Sequence, residues 1–180
     1  MRLTLFGALA LATACSAAAP NDAASPASTI AARGRALDGD TVTIDIRLSG
    51  ADAFESRQWC QGNTGCWQCG KAAQDYASKL LKAGTTTIHL TGKQSYGRPI
   101  GTVEIQGQDL GESMIAAGLA VPATSYLKDD PARAQRYIAA YERAEARHAG
   151  VHAGYFVDPA KWRRGERLSC ERSSRDRRGG

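Results

Sequence analysis

The N-terminal apolar stretch, Leu3 to Ala14, is too short to span a bilayer, since a transmembrane helix needs about 20 such residues. A second close pair of metal ligands is also missing. Cys66-x-x-Cys69 has no partner pair downstream, which argues against a structural zinc site. Histidine is scarce: only His89, His148 and His152 occur. Nothing sets a nucleophile, a base and an orienting group together, so Ser-His-Asp and Cys-His chemistry find no support. His148 and His152 are four apart, but Gly150 between them and the nearby helix end argue against a metal pair. Residues 1–160 carry no net charge and show no obvious basic face; the whole excess of +5 lies in residues 161–180.

What is present at the N-terminus reads as an export signal over residues 1–14, with Arg2 before the apolar stretch. Two cleavage readings stand. Ala12-Thr13-Ala14-Cys15 resembles a bacterial lipobox, which would make Cys15 an acylated membrane attachment; an Ala-x-Ala site at Ala14 or within Ala17 to Ala19 would leave a soluble product. Both place the protein in the periplasm or cell envelope, or outside the cell. Residues 15–28, rich in Ala, Ser, Pro and Asn, read as a flexible tether to a domain over residues 29–162. Residues 163–180 read as a basic, disordered tail, either an arm drawn to nucleic-acid phosphate or a solvated terminus, or one drawn to anionic lipid. With Cys15 set aside, Cys60, Cys66, Cys69 and Cys170 remain. An exported chain favours two disulfides among them, and three pairings are open.

Patterning supplies the elements. Thr29 to Asp38 reads as a weak first strand. Thr41 to Leu48 alternates strictly, so Val42, Ile44, Ile46 and Leu48 share an expected core face. Cys69 to Ala83 has helical spacing and stops at Gly84; Thr85 to Thr91 and Ile100 to Ile105 read as strands. Asp109 caps a second helix that ends at Gly118. Asp130-Pro131 opens a third, with Tyr137, Ile138, Tyr141 and Ala144 as its buried stripe. Tyr137 and Tyr141 read as core rather than as stacking platforms.

The chemistry gathers in residues 38–57. Carboxylates such as Asp40 and Asp52 can hold calcium at about 2.4 Å. Arg47 offers a fork for phosphate oxygens, and Glu55 can serve as a general base on water. The order Asp-Gly-Asp-Thr-Val, Arg-Leu-x-Gly-x-Asp-Ala-x-Glu, Cys-Gly-x-x-Ala, Tyr-Gly-Arg and Gly-Leu-Ala, from about Thr29 to Trp162, resembles the staphylococcal nuclease (thermonuclease) family. The resemblance implies an α+β, mainly β fold, an OB-type five-stranded barrel with three α-helices. It implies a calcium-dependent phosphodiesterase that cuts DNA and RNA to 3′-phosphates. Asp40, Asp52 and the backbone carbonyl of Ala53 match the metal ligands. Glu55 matches the base, Arg47 and Arg98 the phosphate-binding arginines, and Tyr96 and Tyr126 the tyrosines that contact the nucleotide.

Three departures bear on that expectation. Phe54 stands where the family has proline, which would loosen the loop before Glu55. Gln94 and Ser95 replace a more charged pair. The segment from Asp40 to Arg47 is short; as one continuous strand it would hold the two roughly 23 Å apart. Either the chain bends sharply there, or Asp40 is not a ligand. The leading expectation is an exported, monomeric, calcium-dependent nuclease of low sequence specificity. The alternative is a non-catalytic OB-type module, tethered to the envelope, that captures nucleic acid by stacking and charge.

Overall fold

The computed structural model describes residues 30–171. The export signal, Cys15, the tether and residues 172–180 lie outside the described residues. In chain order the strands are β1 (Gly34–Ala36), β2 (Val42–Ile44), β3 (Arg47–Leu48), β4 (Ala51–Ala53), β5 (Cys60–Gly62) and β6 (Gly65–Trp67). Helix α1 (Cys69–Leu81), β7 (Thr86–Ser95), β8 (Arg98–Ile105), β9 (Gln108–Asp109), α2 (Leu110–Ala116) and β10 (Ala120–Pro122) follow. Helices α3 (Pro131–Ala146) and α4 (Pro159–Arg163) complete the chain. The fold is α+β, and α1, α2 and α3 are the three expected helices.

Strand β8 is central. Its residues alternate between the interior and a less buried face, with Pro99, Gly101, Val103 and Ile105 inward. It pairs antiparallel with β7 and β9 and parallel with β3. Tyr96 and Gly97 join β7 to β8 with φ of 51° and 75°, the doubly positive pattern of a tight hairpin turn. Gly97 takes that conformation without steric penalty. Strand β4 pairs with β10, bringing Asp52 opposite Val121. Leu110, Met114 and Ile115 of α2 fill the space between these strands and Tyr137 and Ala140 of α3.

Polar side chains fix how α2 meets α3. Asp109 caps α2 by accepting from the Glu112 amide, and the same carboxylate accepts from the Tyr137 hydroxyl and from Arg133. Asp130 caps α3 at the Arg133 amide. Burial, with Asp109 alongside, pushes the Tyr137 hydroxyl well above its ordinary range, so it stays a donor.

The structure departs from the sequence reading in four places. The expected strand from Thr41 to Leu48 is broken at Asp45-Ile46 into β2 and β3. Strand β2 pairs with β1 in a two-stranded ribbon, whereas β3 pairs with β8, so the chain changes partners there. Val42 and Ile44, expected in the core, are consequently 73% and 40% exposed. Ile138 is 42% exposed because the buried stripe of α3 runs through Tyr137, Ala140 and Ala144, one residue out of phase with it. Phe54 does not loosen its loop: the ring is buried, edge-on to Phe156 at 5.4 Å. Finally, residues 163–171 are not a tail. Arg163 ends α4, and the residues after it return onto the domain, where Cys170 is bonded to Cys66; Cys60 is bonded to Cys69. A link across a sequence separation of 104 restrains the unfolded chain by about 4–5 kcal/mol in the loop-closure picture.

The ring of His152 lies edge-on to Tyr141 at 4.7 Å and to Phe156 at 5.8 Å, and its buried Nε2 has no partner among the described residues. Burial lowers its pKa from the ordinary 6.5; Glu145 opposes the shift and His148 adds to it. The unfolded chain therefore takes up this proton first as pH falls. The stability that neutral His152 contributes is full above its unfolded value and is lost as pH falls through the window down to the depressed folded value. Urea unfolding should show a midpoint that drops as pH falls below the ordinary 6.5, and His152→Phe should flatten that drop. An identical pH profile in the variant would contradict it.

Candidate active site

Asp52 sits in the middle of β4 with its carboxylate almost wholly buried. A buried charge needs partners, and here it has two. Arg47 reaches across the turn from β3 and donates from Nη2 to Oδ1 at 2.5 Å. Arg163, at the end of α4, grips both oxygens, Nη2 to Oδ2 at 2.6 Å and Nη1 to Oδ1 at 3.0 Å, the two-pronged geometry that suits guanidinium to carboxylate. Arg163 Nη1 also donates to Glu55 Oε1 at 2.8 Å. Burial alone would raise the Asp52 pKa. Hydrogen bonds from Arg163 and then Arg47 more than offset it and hold the carboxyl below its usual range. Hydrogen bonds to Asp52 and then Glu55 raise the Arg163 pKa against the opposing effect of burial.

The loop carrying Glu55 is pinned from beneath. Gln58 is fully buried; its side chain accepts from the Glu55 amide at 3.2 Å and donates to the Val157 carbonyl at 2.6 Å. Its own amide donates back to the Glu55 carbonyl at 2.7 Å. Helix α1 then presses its first turn against the loop: a Cβ on Gly70 would lie 1.6 Å from the Glu55 carbonyl oxygen. Only glycine permits that approach.

The other expected residues are distributed unevenly. Arg47 pairs with Ile100 across β3 and β8. Arg98 is two residues before Ile100 on β8, so Arg47 and Arg98 project from the same face. Ala53 pairs with Ala120 at the end of β4. Tyr96 in the hairpin turn is 91% exposed and Tyr126 is 77% exposed, both free of the core. Asp40 is elsewhere, in the exposed turn of the β1–β2 ribbon, where Asp38 accepts from the Asp40 and Thr41 amides. No three Asp, Glu, His or Cys side chains are placed to share a metal ion among the described residues. Calcium takes six to eight oxygen ligands, but Asp52 and Glu55 are committed to arginine and Asp40 does not join them. This arrangement does not fit the expected calcium centre.

Sequence pattern alone does not mark Arg163 or Gln58 as site residues. A signal for Arg163 existed. Asp158-Pro159 repeats the cap-and-proline pair of Asp130-Pro131, and the Asp158 carboxylate does cap α4, accepting from Ala160 and Lys161. Gln58 carried no such mark.

Gly70→Ala should displace the Glu55 loop or the start of α1. The expected loss is about 1–3 kcal/mol of stability, read as a lower Tm in thermal unfolding with both disulfides intact. An unchanged Tm would show that the close approach is not required.

A family model described as staphylococcal nuclease homologue matches residues 45–153. An uncharacterized 38.1 kDa protein of Capnoides sempervirens is 30% identical over 123 residues, a stretch that is 68% of this chain and 32% of that protein. The chain thus spans about a third of the length of that relative. The family match takes in Arg47, Asp52, Glu55, Tyr96, Arg98 and Tyr126, but starts after Asp40 and stops before Arg163. More than half of the sequence lies within the match, and the chain belongs to the staphylococcal nuclease homologue family.

Proposed function

We propose that the protein is an exported nuclease that hydrolyses phosphodiester bonds of DNA and RNA with low sequence specificity. The observation that carries this reading is the shared face of Arg47 and Arg98, with Arg47 bonded to Asp52 and Asp52 joined to Glu55 through Arg163. Two guanidiniums on one face suit two oxygens of one phosphate. Exposed Tyr96 and Tyr126 offer flat surfaces on which any base can stack, consistent with low specificity. The two disulfides support an oxidising, exported setting. A monomeric state and membrane attachment through an acylated Cys15 belong to the same proposal.

In this reading Arg47 and Arg98 bind phosphoryl oxygens and stabilise the negative charge that builds on them. Glu55 takes a proton from a water whose oxygen bonds to phosphorus. The bond from phosphorus to the departing sugar oxygen breaks, and that oxygen is protonated from solvent. Glu55 Oε1 already accepts from Arg163 Nη1 at 2.8 Å, so that oxygen meets a water only once the guanidinium moves aside. No step runs through calcium, since the carboxylates are held as described.

That same grip of Arg163 favours a second reading, a non-catalytic module that binds single strands through stacking and charge. Cleavage of single-stranded DNA by the mature, oxidised protein separates the two. The nuclease reading expects cutting that Glu55→Gln abolishes. It also expects Arg98→Ala to lower kcat by about 10²–10³ with little change in KM. Near-normal turnover in Arg98→Ala would remove that residue from the mechanism, and salt-sensitive binding without cutting would establish the binding module.

A further inference from the structure

The position between the two carboxylates is defined by one atom. Arg163 Nη1 lies 3.0 Å from Asp52 Oδ1 and 2.8 Å from Glu55 Oε1, so it marks the point where a single cation touches both. Asp52 and Glu55 supply two negative charges, and Arg47 and Arg163 supply two positive ones. The cluster is therefore neutral as it stands. A divalent ion entering it would meet no net attraction and would lose the oxygens already bonded to nitrogen.

Arg163 is also held in place. Helix α4 starts at a buried Pro159 and is capped by Asp158. Within it the Trp162 indole donates to both oxygens of Glu171 at 3.0 Å, and the Arg167 guanidinium lies 3.8 Å over the Trp162 ring. Glu171 itself is buried and pairs with Arg167 at 3.3 Å. The disulfide from Cys170 to Cys66 ties the far end to β6. A side chain delivered by a segment fixed at both ends competes for its partners at a high effective concentration.

We propose that Arg163 is an intramolecular cation that occupies the place between Asp52 and Glu55 and excludes a divalent metal ion from them. The inference concerns the same site as the nuclease reading but is tested without nucleic acid, so the failure of one leaves the other standing. The experiment is calorimetric titration of calcium into the oxidised full chain and into Arg163→Ala and Arg163→Gln, with near-UV circular dichroism to confirm folding. The variants should bind calcium at least about tenfold more tightly than the wild type, since removing one cation leaves the cluster with a net negative charge. Asp52→Asn added to either variant should erase the gain. Equal affinity in wild type and variants, including no binding by any of them, overturns the proposal, as does a gain that survives Asp52→Asn. Should neither variant fold, the wild type decides. Micromolar calcium binding that Asp52→Asn removes would overturn the proposal, and its absence would support it.

Discussion

Burying the Asp52 carboxylate without partners would cost several kcal/mol, and of the two arginines that offset this cost one is near in sequence and one far. Arg47 is local, five residues away across the β3–β4 turn. Arg163 is 111 residues away. It reaches the site only because α4 and the returning segment are folded onto the domain and closed by the Cys66–Cys170 disulfide. The strand, the terminal helix and the disulfide therefore depend on one another through a single buried charge.

The Glu55 loop obeys a second constraint, steric rather than electrostatic. The Gln58 side chain bridges the loop to Val157, Phe54 wedges against Phe156, and Gly70 brings α1 into contact with the Glu55 carbonyl. These contacts come from both ends of the domain. They place the carboxylate beside Asp52 before any ligand arrives, the kind of support a functional group needs if its position is to be set by the protein.

Local signals were legible in the sequence where local physics decides. Asp109 and Asp130 cap their helices as their spacing implied, and Tyr137 is core. The cysteine count foretold two disulfides, although pairing needed the fold. Arg47, Asp52 and Glu55 were recognisable as a constellation and do come together. The rest depended on tertiary choices. Alternation from Thr41 to Leu48 could not reveal that the chain leaves the β1–β2 ribbon at Asp45 to pair with β8. The positive charge at the C-terminus reads as a phosphate-seeking arm or a solvated terminus, because composition does not show which arginine finds a buried partner. Arg163 and Arg167 are instead used internally.

Membership of a nuclease family and a cluster sealed by its own arginine pull in different directions, and the strength of that seal decides between them. A double-mutant cycle with Asp52→Asn and Arg163→Gln, followed by urea unfolding of the oxidised protein, measures it directly. If Arg163 is the structural partner of Asp52, the two changes are non-additive, with a coupling of about 1–3 kcal/mol. Additivity within about 0.5 kcal/mol would mean that the two side chains do not depend on each other, and would contradict the account of the site as a closed ion cluster.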